Sequence, residues 1–184
     1  VRRCSSEGYY CNKISIEKLK HFVSKEAFNI DGFGKKIVES FWKLNLIKFP
    51  QDIFKLDYKK IENLEGWGSL STENLKYSIN ERKNITLERF IYSLGIRHIG
   101  LENAKLLSKH FGSFFKFKNL PNDGYNELIN IDGIGETQLT SIKNFFSNKT
   151  NLKILNELEK VLTITNPVSR KKKGLFNDKT FLLT

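Results

Sequence analysis

Four short segments of one pattern recur along the chain, the third with His98 in place of the first glycine: Ile30-Asp31-Gly32-Phe33-Gly34, Leu64-Glu65-Gly66-Trp67-Gly68, Arg97-His98-Ile99-Gly100 and Ile131-Asp132-Gly133-Ile134-Gly135. With Gly32, Gly66, His98 and Gly133 taken as equivalent, the intervals are 34, 32 and 35 residues, the length of one helix, a hairpin and a second helix. A glycine, an apolar residue and a second glycine make a tight turn that other residues would strain, and they leave the backbone N–H groups uncovered. The apolar residue of each turn (Phe33, Trp67, Ile99, Ile134) is expected to point inward and fasten the turn to the core. Each hairpin opens a helix whose first N–H groups have no partner inside that helix, and such donors suit phosphate oxygens.

The segments between the hairpins carry apolar residues at three- and four-residue steps, the periodicity of amphipathic helices. A short helix is expected from Ile14 to Phe22, with Leu19 and Phe22 inward and Ser24 as a cap before the first hairpin. After that hairpin the predicted stripe is Ile37, Phe41 and Leu44, with Lys35, Lys36, Glu39 and Lys43 on the other face, and Pro50 closes the unit. A connector containing Ile53, Phe54 and Leu56 leads to a helix from Tyr58 to Leu64. Ser69 to Lys83 is predicted helical around Leu75 and Ile79, with Ser71 and Thr72 as candidate caps. Thr86 can cap a helix carrying Leu87, Phe90, Ile91 and Leu94. The later exit helices show Leu101, Ala104, Leu107 and Phe111, then Leu139, Ile142 and Phe146. The fold class implied is all-α, an array in which each helix pair buries its face against its neighbours. Past Leu162, Thr163-Ile164-Thr165-Asn166-Pro167 breaks the helix. A basic linker follows, and Lys179 to Thr184 is β-prone, an incipient strand.

Charge narrows the partner. Lys+Arg total 31 against 20 Asp+Glu, a formal net charge of +11, which suits a polyanion such as nucleic acid or an acidic membrane surface. The segment from Val168 to Thr184 holds five of the basic residues and one acid, so most of the excess is spread over the folded part. No stretch approaches the roughly 20 apolar residues that would span a bilayer, and a cytoplasmic, nucleoid-associated location without membrane contact is expected. Repeated hairpins together with this charge point to the sugar-phosphate backbone of DNA, contacts that position a protein on a duplex without reading sequence. The candidate contact residues are Gly32, Gly34, Lys35, Lys36, Gly66, Gly68, Arg97, His98, Gly100, Gly133, Gly135 and Lys143. Asp31, Glu65 and Asp132 look wrong for a phosphate site and are expected to act as local caps or salt-bridge partners.

Cys4 and Cys11 are too few to imply a disulfide scaffold. A structural zinc needs four ligands. Two thiolates are visible, and His21 lies at a sequence distance that would allow a third; isolated cysteines are otherwise small buried side chains.

Two stretches carry a family resemblance. Leu19-Lys20-His21-Phe22-Val23-Ser24 followed by Ile30-Asp31-Gly32-Phe33-Gly34-Lys35-Lys36-Ile37, and Phe90-Ile91-Tyr92-Ser93-Leu94-Gly95-Ile96-Arg97-His98-Ile99-Gly100, resemble the C-terminal half of bacterial NAD-dependent DNA ligases. The likeness implies three regions: residues 1–22, the second half of a four-cysteine zinc finger and a connecting helix; 23–165, a DNA-binding domain of four helix-hairpin-helix units; and 166–184, a basic linker with the first strand of a BRCT domain. It implies that Cys4 and Cys11 are half of a zinc site and that His21 is not a ligand. It also implies a monomer that clamps nicked duplex DNA during replication and repair. The family's adenylated lysine lies in a Lys-X-Asp-Gly motif, which does not occur here: Asn29-Ile30-Asp31-Gly32 has Asp-Gly without the lysine. No catalytic residue is therefore assigned. NAD and magnesium would be bound by other domains of the parent enzyme, and this chain, a fragment on that reading, is not expected to seal a nick alone.

Three other readings share some of these features. A DNA glycosylase would need a catalytic aspartate after a hairpin, and Asp52 stands 18 residues past Gly34 in a connector. A module of a repair nuclease or junction-binding subunit would share the hairpins without the cysteine pair. A helical protein-interaction array would use the glycines as turns alone, with no steep salt dependence of DNA affinity.

Overall fold

The structure, a computed structural model, describes Tyr9 and residues 11–167. Cys4, the basic linker beyond Val168 and the β-prone segment Lys179–Thr184 lie outside the described residues. The fold is all-α, as the periodicity predicts, with one very small sheet. Helices α1 (Asn12–Val23), α2 (Lys35–Lys43), α3 (Tyr58–Glu62) and α4 (Ser69–Glu81) form the first half. Strand β1 (Asn84–Thr86), helices α5 (Leu87–Ser93), α6 (Leu101–Phe111), α7 (Phe114–Asp123), α8 (Glu136–Ser147) and α9 (Lys149–Val161), and strand β2 (Thr163–Thr165) form the second. Short 3-10 turns at Pro50–Lys55 and Asn126–Asn130 lead toward the second and fourth hairpins.

Aromatic side chains fill the core within each half, and the His21 and Tyr92 rings, with centroids 4.6 Å apart, meet across the two. Phe22 and Phe28 stack with ring centroids 4.2 Å apart, and Phe54 leans on Phe28 at 5.4 Å. Phe90 meets Phe114 edge-on at 5.3 Å, and Phe117 meets both Phe111 and Phe146. Fully burying a phenylalanine stabilises a fold by about 1.5–3 kcal/mol, so this chain of rings outweighs any surface ion pair. One such pair joins the 3-10 turn to α9: Glu157 bonds Lys160 at 2.5 Å and Lys55 at 2.7 Å, which holds its carboxyl down at about 2.

Several details depart from the sequence reading. The buried face of α2 is Val38, Phe41 and Trp42, while Ile37 is half-buried and Leu44 is 48% exposed. The helix stops at Lys43, and Asn45 takes a left-handed φ of 57°. The Leu46 N–H then bonds the Phe41 carbonyl (2.9 Å) and the Asn45 N–H bonds that of Trp42 (3.1 Å). This is a Schellman ending, and it takes Leu44 out of helical register. Pro50 starts a 3-10 turn rather than closing a unit, with the Asp52 carboxylate accepting from the N–H groups of Lys48 (2.9 Å) and Phe49 (2.8 Å). Ser71 and Thr72 lie inside α4, whose N-cap is Gly68.

The segment Thr163-Ile164-Thr165 does leave the helix, but it forms β2, pairing in parallel with β1 in the register Asn84↔Thr163, Ile85↔Ile164, Thr86↔Thr165. The pair brings the end of α9 back to the start of α5, closing the second half of the chain on itself.

Candidate nucleic-acid interface

All four hairpins share one backbone. A turn bond runs from the first residue to the fourth: Phe33 N–H to Ile30 C=O (3.2 Å), Trp67 to Leu64 (3.0 Å), Ile99 to Ile96 (3.1 Å) and Ile134 to Ile131 (2.9 Å). The third residue has positive φ in every case: Gly32 75°, Gly66 78°, His98 63° and Gly133 91°. Positive φ at that place is the mark of a type II turn. The equivalence of His98 with the three glycines is thus correct, and its imidazole is carried in a conformation that few side chains tolerate. The next residue is wedged inward at Phe33, Ile99 and Ile134, all buried, whereas Trp67 is half-buried against the Phe41 ring at 5.4 Å. An extended glycine then caps each exit helix: Gly34 for α2, Gly68 for α4, Gly100 for α6 and Gly135 for α8. Turn residue and cap glycine are exposed in all four.

What surrounds these caps differs. In the second hairpin the Gly68 N–H donates to Ser71 Oγ (3.0 Å), and in the fourth the Gly135 N–H donates to Gln138 Oε1 (3.2 Å). The third helical position thus answers one of the orphan amides. In the first hairpin that position is Ile37, which has no acceptor to offer. In the third it is Asn103, which turns the other way and donates to the His98 carbonyl at 3.1 Å. Basic residues follow the same division, although Asp31 stands at the first hairpin and Glu102 in the first turn of α6. Lys35 and Lys36 open α2, and Arg97 and His98 lead into α6, all exposed. Around the other two hairpins stand Glu65, Asp132 and Glu136, also exposed. Asp31, Glu65 and Asp132 make no capping hydrogen bond and no ion pair among the described residues. They are solvated carboxylates at the turn, not the caps or bridges expected of them.

The hairpins are arranged in two pairs. A shallow concavity of about 490 Å³ joins the first two, lined by Gly32, Gly66, Trp67 and the α4 residues Asn74 and Ser78. Another, of about 450 Å³, lies between the third and fourth, lined by Arg97, His98, Glu136, Thr140, Ser141 and Asn144. Leu106 of α6 abuts the fourth hairpin so closely that a Cβ on Gly133 would lie 3.0 Å from it.

Sequence reasoning missed the residues that hold the first hairpin in place. Arg89 on α5 donates to the carbonyls of Ala27 (2.8 Å) and Lys25 (2.6 Å), and Arg82 donates to that of Asn29 (2.9 Å), a residue with φ of 50°. Each reaches across more than 50 residues of sequence, and no local pattern announces such a partner. His21 bridges α1 and α5 through the Tyr92 carbonyl at 2.8 Å. The Lys143 ammonium lies over the Tyr125 ring, 5.5 Å from its centroid. Asp52 caps the 3-10 turn described above, which leaves a glycosylase-like role without a catalytic aspartate at that position. Cys11 is the N-cap residue of α1, a half-buried free thiol. No group of three or more His, Cys, Asp and Glu that could hold a metal exists among the described residues. No helix among them is long and apolar enough to cross a membrane.

The profile of a family described as a helix-hairpin-helix motif matches residues 89–155, which contain the third and fourth hairpins. Over its whole length the chain is 63% identical to a DNA ligase of Pelagibacter ubique, of which it covers 27%. It is 40% identical to a DNA ligase of Rickettsia bellii and 41% identical to one of Rickettsia rickettsii, covering 28% of each. The chain corresponds over its whole length to a segment of these DNA ligases. It spans about a quarter of the length of these ligases, and all four hairpins fall inside the matched region.

Proposed function

We propose that this segment of a DNA ligase holds nicked duplex DNA through backbone contacts, without reading its sequence, for replication and repair. The observation that carries the reading is the fourfold recurrence of one exposed type II turn leading into a glycine-capped helix N-terminus, on a chain with net charge +11. A helix N-terminus carries roughly half a positive charge, and free amides there bind phosphate oxygens. The first and third hairpins are the principal phosphate contacts on this reading, because lysine or arginine stands beside them and no side-chain acceptor occupies the Gly34 or Gly100 cap position. The second and fourth serve mainly as fasteners and spacers. With Cys4 outside the described residues and Cys11 alone at the head of α1, the described residues do not form a metal site, and the proposal runs through the hairpins alone.

Fluorescence-anisotropy titration with nicked, gapped and intact duplexes tests the proposal. Expected is binding at low salt that is indifferent to base sequence, favours the nick and weakens linearly in log salt. Absence of binding at low salt, or an affinity insensitive to salt, would refute it and favour a protein-interaction array.

A further inference from the structure

A third concavity, of about 650 Å³, lies between α1, the third hairpin and the junction of α8 with α9. Lys18, Arg97 and Lys149 all line it, together with the amide and hydroxyl groups of Asn144, Ser141 and Ser147. No carboxylate among the described residues does. None of the three cations belongs to an ion pair among the described residues, although Lys20, Lys55, Lys60, Lys118 and Lys160 all do. Lys18 is half-buried, with its ammonium 5.2 Å from the centre of the Tyr9 ring, and burial pushes its pKa down. An unpaired, partly desolvated ammonium is costly to keep unless an anion completes it. The first amides of α9 do not supply the attraction, because Asn148 Oδ1 already accepts from Thr150 and Asn151.

This concavity is continuous with the one between the third and fourth hairpins, since Arg97, Ser141 and Asn144 line both. Together they make one trough, running from His98 past Arg97 to Lys18 and Lys149. We propose that this trough takes the phosphodiester backbone of the duplex beyond the third hairpin, with Lys18 and Lys149 each neutralising one phosphate. The proposal rests on the DNA-binding reading above and adds a contact surface that no hairpin supplies. Glu136 lines the hairpin end of the trough, whereas no carboxylate among the described residues lines the arm holding Lys18 and Lys149. That basic arm and its continuity with the third hairpin favour a nucleic-acid strand as the occupant.

The test compares the 184-residue chain with K18Q, K149Q, the double variant and K18R/K149R on one long nicked duplex across a salt series. For the double variant, log affinity against log salt is expected to lose about two from its slope, with affinity at physiological salt falling on the order of tenfold or more. K149Q alone, on an exposed residue, should lose about one, and K18R/K149R should restore the wild-type slope. Thermal melting of each variant separates a lost contact from a lost fold. A double variant that melts like wild type and keeps its slope and affinity overturns the trough while leaving the hairpin reading intact. Failure of the wild-type chain to bind DNA would overturn both.

Discussion

The first and third hairpins have the same backbone as the second and fourth, yet they differ in what that backbone can offer an anion. At Gly34 and Gly100 no side chain among the described residues accepts from the cap amide, and Lys35, Lys36 and Arg97 stand alongside. At Gly68 and Gly135 a serine or glutamine accepts from the same amide, and the flanking Glu65, Asp132 and Glu136 have no lysine or arginine of the turn beside them, whereas Asp31 and Glu102 are offset by theirs. Identical turns are therefore not identical sites. Turn geometry creates free donors, and the third helical residue together with the flanking charge decides whether a phosphate finds them available.

The sharpest way to break this contrast is to move the charges. Replacing Lys35, Lys36 and Arg97 together by glutamine should reduce the salt slope of DNA binding by about three and weaken affinity on the order of a hundredfold at physiological salt. Replacing Glu65 and Asp132 by their amides should instead tighten binding modestly. Equal losses from both sets in anisotropy titrations would mean that all four hairpins contribute alike.

Stability should divide along a different line. Gly133 has φ of 91° and a methyl of Leu106 3.0 Å from where its Cβ would stand, whereas Gly34 is extended and faces open space. Gly133→Val should cost roughly 1–3 kcal/mol of folding stability through backbone strain. Gly34→Val should leave the melting temperature almost unchanged and still lower DNA affinity by obstructing the phosphate. Thermal denaturation paired with binding assays checks both halves. If Gly34→Val binds DNA like wild type, the first hairpin is not a close phosphate contact.

The smallest effects concern the caps. Ser71→Ala and Gln138→Ala should each cost at most about 1 kcal/mol in denaturant titrations, the usual scale for a capping contact. Neither should weaken DNA binding, because each releases an amide rather than removing one. A loss of affinity in either variant would show that these side chains themselves touch the ligand.

The hairpins were legible in the sequence because a type II turn is a local object. Its positive φ selects glycine at the third place, and the repeat interval located His98 as the exception that nonetheless keeps the turn. The inward residue of three hairpins and the cores of α4 and α5 followed from the same local rules, as did Ala104, Leu107 and Phe111 of α6, whereas Leu101 at its first position is 47% exposed. Where those rules ran out, the reason can be named. Leu44 was placed in a stripe that its helix does not reach, because an asparagine ending closes α2 one residue earlier. The three-residue segments that form β1 and β2 are too short to announce a strand, and each is satisfied by a partner about 80 residues away. Lys143 sits on a helix after a hairpin, as the pattern suggested, and its ammonium lies over the Tyr125 ring.

By itself the sequence determined that helices would alternate with glycine turns at a fixed interval, that the surface would be strongly basic and that the chain would resemble part of a ligase. These follow from backbone permissiveness, hydrophobic periodicity and charge count, all readable along the chain. Only the tertiary structure decided which hairpins pair, which cap amides are already taken, that Arg82 and Arg89 hold the first hairpin from across the fold, and that Lys18, Arg97 and Lys149 share one trough. Such relations join residues remote in sequence through distance and packing, which no one-dimensional pattern contains.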